Sequence, residues 1–534
     1  MSAEWTTRQI VGQKLLLAFD GKDGPSEQIA REMREYQIGG ITFFRRFNVD
    51  TPAQVRALTE SLQRLARDLH LPPLLIAIDQ EGGQLMAIGD GTTPLPGNMA
   101  LGATGSIELA HQAGVVLGRE LSAMGINVDY APCVDVNLNH QNPVVGVRSF
   151  GEDPQLVASL SGAMIGGIQS QGVAATAKHF PGHGDATSDS HHGLPLVPHT
   201  LERLESVEFH PFRASLQAGV KMVMSAHLGL PALDGPNPPP ATLSSNILKN
   251  LLRRQLRFEG VIVTDAMDMH AIRQGEWLGE DALRAVKAGV DLLLLTDNPD
   301  DHRRVFDSLL QGIQNEKLDL VELRESGQRI ASLKDWIASH AQSPDIDVVG
   351  SAEHLDVAKT IAERSITLVR DHAGHLPLRL EERQSLAVVI PQPMDLTPAD
   401  TSSYIKPRLA ECLREYHGQV DEFLIPFAPK EDDINNILLQ VGAYDRVIVA
   451  TINAIHEAGQ AALVKEIVRR NIPLIVVALR LPYDLAAFPE VATYLCTYSI
   501  LEPSMRALAK ALFGHVEMTG RLPVSIPGLY NASL

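Results

Sequence analysis

Between Ile38 and about Thr296 the chain repeats one pattern, a short run of aliphatic and β-branched residues followed by a longer segment of helical period. The runs are GGITFF, LLIAID, INVDYAP, AATAKHF, VKMVMSAH, GVIVTDA and VDLLLLT. Between them lie helical stretches such as Ala53 to Leu69, Ile107 to Met124, Val157 to Gln171 and Glu202 to Ala218. The runs are apolar on both faces, which fits a parallel sheet covered by helices better than a sheet with one wet side. Seven or eight such units predict an N-terminal (β/α)8 TIM-like barrel, with an open doubly wound sheet as the alternative.

The pattern breaks at AQSPDIDVVGS, a polar stretch containing proline, and then resumes with SITLVRD, LAVVIP, DEFLIPF, YDRVIVAT, IPLIVVAL and ATYLCTYS. The expected division is a catalytic barrel over 1–340, a linker over 341–350 and a C-terminal α/β sandwich domain over 351–534, because a chain this long rarely keeps a single core. The second domain offers no residue with an evident chemical role.

Charge narrows the function classes. Lys and Arg number 46 against 64 Asp and Glu, a net charge of -18, so no broad basic surface is available for nucleic acid, and an anionic membrane would repel the chain. Cys133, Cys412 and Cys496 are too few for a disulfide framework or a thiolate zinc site. No apolar run approaches the roughly 18 residues of a membrane span. The early LLLAF is too short for the core of a signal peptide, so the expected location is cytoplasmic.

In a parallel barrel the strand C-terminal ends and the loops after them form the active face. The polar residues that end the apolar runs are Asp79, Asp135, Lys178 with His179, His227 and Asp265. The densest segment is TAKHFPGHGDATSDSHHGLP, residues 176–195, whose glycines and prolines prevent a helix while four histidines gather in one loop. Within it Asp189-Ser190-His191 sets a carboxylate two residues before an imidazole, an arrangement that makes His191 a candidate general acid/base with Asp189 as its partner.

Asp265, at the end of GVIVT, is the candidate nucleophile, ahead of Asp268 because it lies nearer the strand end. Either aspartate would also suit a helix N-cap. His227 either faces the pocket or caps a loop, and Met222 and Met224 alternate as core filling would. A metal-dependent hydrolase, with ligands among His179, His183, Asp185, Asp189, His191 and His192, is the competing reading. Against it, Phe180-Pro181-Gly182 removes the helical geometry that makes His pairs at this spacing good ligands.

The segments KHFPGHGDATSDSHHGLP, VIVTDAMDM, IDQEGG at 78–83 and VRSFGEDP at 147–154 resemble glycoside hydrolase family 3, in its β-N-acetylglucosaminidase branch. The likeness extends through SITLVRDHAGHLPL and ALAKALFGHVEMTGRLPVSIPG to the second domain. It implies a retaining exo-glycosidase that removes terminal β-linked N-acetylglucosamine through a covalent glycosyl-enzyme, without a metal or other cofactor. By the same likeness Asp265 is the nucleophile, His191 the acid/base and Asp189 its orienting partner, and Asp79, Arg148, Lys178 and His179 grip the sugar. A structural salt bridge is the plainer role for Arg148 and Lys178.

A neutral His acid would repel an anionic acceptor less than a carboxylate, so a phosphorylase is one alternative, and a β-glucosidase of the same family another. Cell-wall fragment recycling is the expected setting, and the assembly a monomer or a homodimer. One departure from the family pattern is QLMAI after DQEGG, which puts Gln84 and Ala87 where arginines are common.

Overall fold

The computed structural model describes residues 5–186 and 193–533. Eight parallel strands make the first sheet: β1 (Leu15–Leu17), β2 (Gly40–Phe43), β3 (Leu75–Ile78), then, after a small antiparallel hairpin of β4 (Gln80–Gly82) and β5 (Leu85–Met86), β6 (Val128–Asp129), β7 (Ala174–Phe180), β8 (Met222–Ser225), β9 (Val261–Thr264) and β10 (Leu293–Leu295). They pair in the order β10-β1-β2-β3-β6-β7-β8-β9. A bridge between Val263 and Leu292, with the Thr264 N–H donating to the Leu292 carbonyl at 3.0 Å, brings β9 to β10 and closes the barrel.

β1 is the strand missing from the sequence pattern. Its three leucines are wholly buried, with Leu16 opposite Leu294 on one side and Gly40 on the other. Three residues carry too little periodicity to reveal a strand; its neighbours on both sides specify it.

Inside the barrel, Leu16, Leu75, Ala77, Val128, Tyr130, Ala174, Met222, Met224, Val261 and Leu294 pack together. The two methionines are therefore core, as their alternation suggested. Ile330, Leu333 and Ile337 of the long helix Leu320–His340 join this cluster and close one end of the barrel. At that end Asp291, just before β10, accepts from the Arg253 guanidinium, from Arg329 at 3.0 Å and from the Ser326 hydroxyl at 2.6 Å. Lys14, just before β1, reaches the same serine at 2.5 Å. Lys334 donates to the Gln13 side chain at 2.6 Å and the Gly39 carbonyl at 2.9 Å.

The second domain is a six-stranded sheet: β11 (Thr367–Asp371), β12 (Leu386–Pro391), β13 (Val420–Ile425), β14 (Arg446–Thr451), β15 (Leu474–Ala478) and β16 (Thr493–Cys496), in the order β11-β16-β15-β14-β12-β13. Only β11 runs antiparallel. All six strands coincide with the apolar runs of the sequence, and helices cover the sheet. The two domains are fastened in several places. The helix Ala352–Ser365 packs against Asn98–Thr104 of the barrel and Glu502–Leu512 of the second domain. Ser525 holds the Glu152 carboxylate through its N–H at 2.7 Å and its hydroxyl at 2.5 Å. Cys133, Cys412 and Cys496 are buried and unbridged. Among the described residues no helix is long and apolar enough to cross a membrane.

Candidate active site

The carboxyl ends of β3, β6, β7 and β9 bring Asp79, Glu81, Asp135, Arg148, Lys178, His179 and Asp265 to one network. β7 supplies two of its members in succession. Its register against β8 shifts between Ala177 and Phe180; this breaks the usual alternation, so that Lys178 and His179 both meet charged partners. Lys178 Nζ lies 2.5 Å from Asp79 Oδ1 and 2.7 Å from Glu81 Oε1. Arg148 holds Glu81 with two parallel bonds, Nε to Oε2 at 3.0 Å and Nη2 to Oε1 at 2.7 Å. That fork is the geometry in which guanidinium and carboxylate bind most strongly.

His179 is held from the other side. Its Nδ1 is 2.7 Å from Asp135 Oδ2, while Nε2 lies 3.4 Å from the Arg148 guanidinium. Asp135 also accepts the backbone N–H of His179 and, at 2.7 Å, of His183. It thereby fixes the start of the histidine-rich loop as well as the ring.

The electrostatics follow from these contacts. Burial alone would raise the Glu81 carboxyl, but Arg148 and Lys178 overcome it and bring the group down to about 2. Burial likewise opposes Asp135, and His179 and His183 hold its carboxyl far below the usual range. For Lys178, burial works against the ammonium form, yet Asp79 and Glu81 keep it firmly protonated. Asp129, directly before this network, forms no ion pair among the described residues; burial pushes its carboxyl well above the ordinary value, and its Oδ1 accepts the Gln80 N–H at 3.1 Å.

Asp265 leaves β9 at the mouth, part-exposed. One carboxylate oxygen accepts the Ala266 N–H at 2.8 Å. Burial raises this carboxyl, but His179, His227, the Ala266 N–H and Lys178 together take it below its usual value. The group is therefore an ionised, part-exposed carboxylate at the mouth. Asp268, the rival candidate, is exposed and accepts the Thr296 hydroxyl at 3.0 Å. It stands outside the charge network.

Among the expected binding residues, exposure separates two kinds. The Asp79 side chain retains 27% of its accessible surface, against 2% for Lys178 and 3% for Arg148. Asp79 is thus the carboxylate a ligand can reach, and the two cations brace it and Glu81. His227 is wholly buried, with Nδ1 2.8 Å from the Thr242 hydroxyl and Nε2 3.0 Å from the Ala266 carbonyl. Both ring nitrogens are engaged within the fold, so His227 braces the turn that carries Asp265. Asp189 and His191 lie outside the described residues.

Glu81 is the residue that sequence reasoning passed over. Its signal was present in IDQEGG, where a second acid follows two residues after Asp79, but a carboxylate between strand end and glycines reads as solvated until two cations are seen to enclose it. Asp135 was recognised as a strand end without a role, and its role is to hold His179.

Among the described residues, the two clusters with ligand-like spacing do not suit a metal ion. In Cys133, Asp135 and His179, burial keeps the thiol protonated, and Arg148 already faces the free ring nitrogen of His179. In Asp185, His199 and Glu208, Arg203 neutralises Glu208 through bonds of 2.9 and 3.0 Å. A fixed guanidinium beside a ligand set opposes a second cation.

Comparison with known proteins places this geometry. The glycosyl hydrolase family 3 N-terminal domain matches residues 6–333, and the corresponding C-terminal domain matches residues 366–532. β-Hexosaminidase A of Pseudoalteromonas piscicida is 32% identical over 98% of this chain and 97% of its own. A β-N-acetylglucosaminidase/β-glucosidase of Cellulomonas fimi is 29% identical over 92% of this chain and 89% of its own. Among solved structures, a glycoside hydrolase family 3 β-N-acetylglucosaminidase from Paenibacillus sp. str. FPU-7 superposes with a TM-score of 0.92 at 39% identity, covering 99% of this chain and 100% of that one.

Proposed function

The chain belongs to glycosyl hydrolase family 3, and on that footing we propose that it releases terminal β-linked N-acetylglucosamine with retention of configuration. The observation that carries the reading is the placement of Asp265, part-exposed at the carboxyl end of β9, where its neighbours hold its carboxyl below the usual value. An ionised carboxylate beneath a pyranose can attack the anomeric carbon and form a glycosyl ester as the glycosidic C–O bond breaks. The departing oxygen takes a proton from His191, which Asp189 orients. The neutral imidazole then accepts a proton from water, whose oxygen attacks the same carbon and frees Asp265. Both roles in the Asp189-Ser190-His191 segment come from the sequence motif.

Asp79 accepts hydrogen bonds from sugar hydroxyls, with Lys178 fixing its position at 2.5 Å. Lys178 and Arg148, buried behind it, hold Asp79 and Glu81 in place for the ring, and Asp135 fixes His179 beside them. We place the work of the enzyme on cell-wall fragments in the cytoplasm and its assembly as a monomer or homodimer. We divide the chain into a barrel over 1–340, a linker over 341–350 and a second domain over 351–534. The matched family segments, which leave 334–365 between them, support that division.

The test is hydrolysis of an aryl β-N-acetylglucosaminide, followed by trapping with a mechanism-based fluoro sugar and peptide mapping. Label on Asp265 is the expected result. Label on Asp268, or turnover of aryl β-glucosides alone, would overturn the assignment. Formation of sugar 1-phosphate in phosphate buffer, in place of free sugar, would replace water with phosphate as acceptor.

A further inference from the structure

Asp129 is a wholly buried acid beside the charge network that takes no part in the bond-making steps. The pairing of β3 with β6 ends where Ile78 lies opposite Asp129, with the Tyr130 N–H donating to the Ile78 carbonyl at 2.8 Å. Beyond that rung the Gln80 N–H is free of the β3–β6 ladder, yet Gln80 is buried, and a buried N–H must find an acceptor elsewhere. Asp129 supplies it, its Oδ1 accepting the Gln80 N–H at 3.1 Å. Val128 and Tyr130 pack in the barrel interior. By strand alternation Asp129 therefore turns to the outer side of the sheet, away from the interior.

The place of that bond in the chain gives it leverage. Gln80 stands between Asp79 and Glu81, so its N–H anchors the backbone that carries both carboxylates in contact with Lys178. Other anchors tie this stretch to its own hairpin. The Gln80 carboxamide donates to the Ile88 carbonyl at 2.9 Å and accepts the Ile88 N–H at 3.0 Å, and the Asp79 carbonyl accepts the Ala87 N–H at 3.1 Å. Asp129 ties the same backbone to the barrel wall. Its carboxyl has no competing duty, since Oδ2 is buried without a hydrogen-bond partner among the described residues. A buried carboxyl that holds one N–H and forms no ion pair there is stable as the acid, in keeping with its raised value. As a neutral acid it leaves the charge of Lys178 to Asp79 and Glu81; ionised, it would set a third carboxylate against Lys178 and Arg148.

We propose that Asp129 is a positioning residue for sugar binding, which through the Gln80 N–H sets where the Asp79 carboxylate meets the ring. The inference rests on the reading of Asp79 as an acceptor of sugar hydroxyls and adds to it the residue that aims that acceptor. Asp129 touches no substrate and acts only through the backbone it holds. That is enough to matter, because displacing a positioned group by about 1 Å can cost about 10²-fold in rate.

The experiment follows hydrolysis of an aryl β-N-acetylglucosaminide by variants of the full chain. Asp129→Leu puts an apolar group of similar size in place of the carboxyl and frees the Gln80 N–H. Its kcat/KM should fall about 10-fold or more, with KM raised more than kcat is lowered. Asp129→Asn keeps an acceptor oxygen and no charge, so it should restore the parental KM. Asp79→Asn weakens the acceptor that Asp129 aims. Adding Asp129→Leu to it should cost less than the product of the two single losses, because both act on one contact. An Asp129→Leu protein that melts earlier yet keeps the parental KM would reduce Asp129 to a stabilising role and overturn the proposal. So would an Asp129→Asn variant as impaired as Asp129→Leu, or losses that multiply in the double variant. If Asp129→Leu does not fold, Asp129→Ala removes the acceptor without adding bulk and is read in the same way. A parental KM in Asp79→Asn would instead overturn the reading of Asp79 as the acceptor, and a parent without turnover would overturn the glycosidase reading.

Discussion

The two ends of the barrel hold the same kinds of side chain in opposite states. At the closed end Asp291 is wholly buried and accepts from two arginines, a serine and the Ile262 N–H. Burial depresses the two lysines there, Lys14 to about 8 and Lys334 to about 7. At the mouth, Lys178 is as deeply buried but sits between two carboxylates that hold it protonated. The mouth also keeps acceptors that the closed end lacks, on the partly exposed Asp79 and Asp265. Charge density alone therefore does not mark a site. The mark is a carboxylate kept ionised by its neighbours and still partly exposed.

The largest expected effect sharpens this contrast. Asp265→Asn keeps the size and the Ala266 hydrogen-bond geometry but removes the nucleophile, so kcat should fall by about 10³-fold or more. Circular dichroism and melting temperature should stay near the parent's. A variant with more than about a tenth of parental turnover would break the assignment.

The next effects are on stability, and they pair the two ends directly. Glu81→Gln leaves Arg148 and Lys178 without their shared carboxylate, and Asp291→Asn leaves Arg253 and Arg329 without theirs. Removing one partner of a buried ion network costs about 3–5 kcal/mol. Urea unfolding should show losses of that order for both. Kinetics should separate them, because Glu81→Gln disturbs Lys178 and through it Asp79, raising KM, whereas Asp291→Asn should leave kcat/KM per folded molecule unchanged. An Asp291 variant that folds yet loses kcat/KM would erase the distinction between the ends.

Much of this contrast could be read from the sequence, for a definite reason. Asp79, Lys178, His179 and Asp265 end strongly apolar runs, and a parallel barrel has only one face for such ends. β1 escaped notice because three leucines have no measurable period. The closed-end cluster escaped because Lys14, Asp291 and Lys334 precede strands or lie in a helix, and nothing in sequence says which side chains turn inward. His227 pointed toward the site by position, but its two ring bonds to Thr242 and Ala266 depend on a loop contact from another element. The second domain's role was illegible for the same reason. Its strands were all visible, yet Arg480 gains meaning only when its loop meets Gln84 of the barrel.

The smallest expected effect per pH step is a rise of stability with pH at both ends, in two separate windows. Burial lowers Lys334 from 10.5 to about 7, so between those values the unfolded chain holds a proton that the folded chain has released. Stability must then rise with pH across that window, by at most about 1.4 kcal/mol per pH unit for one proton. Glu81 gives a rise of the same sign in an acid window. Its carboxyl falls from 4.5 to about 2, so its contribution is present above pH 4.5 and is lost as pH falls toward 2. Urea unfolding of the parent, Lys334→Met and Glu81→Gln at a series of pH values checks both. The lysine variant should lose part of the alkaline rise, with the remainder carried by Lys14, and keep the acid limb; the glutamine variant should do the reverse. Identical alkaline slopes in the parent and Lys334→Met would mean that the closed end holds its lysine charged. The electrostatic difference between the two ends would then reduce to the exposed carboxylates of the mouth.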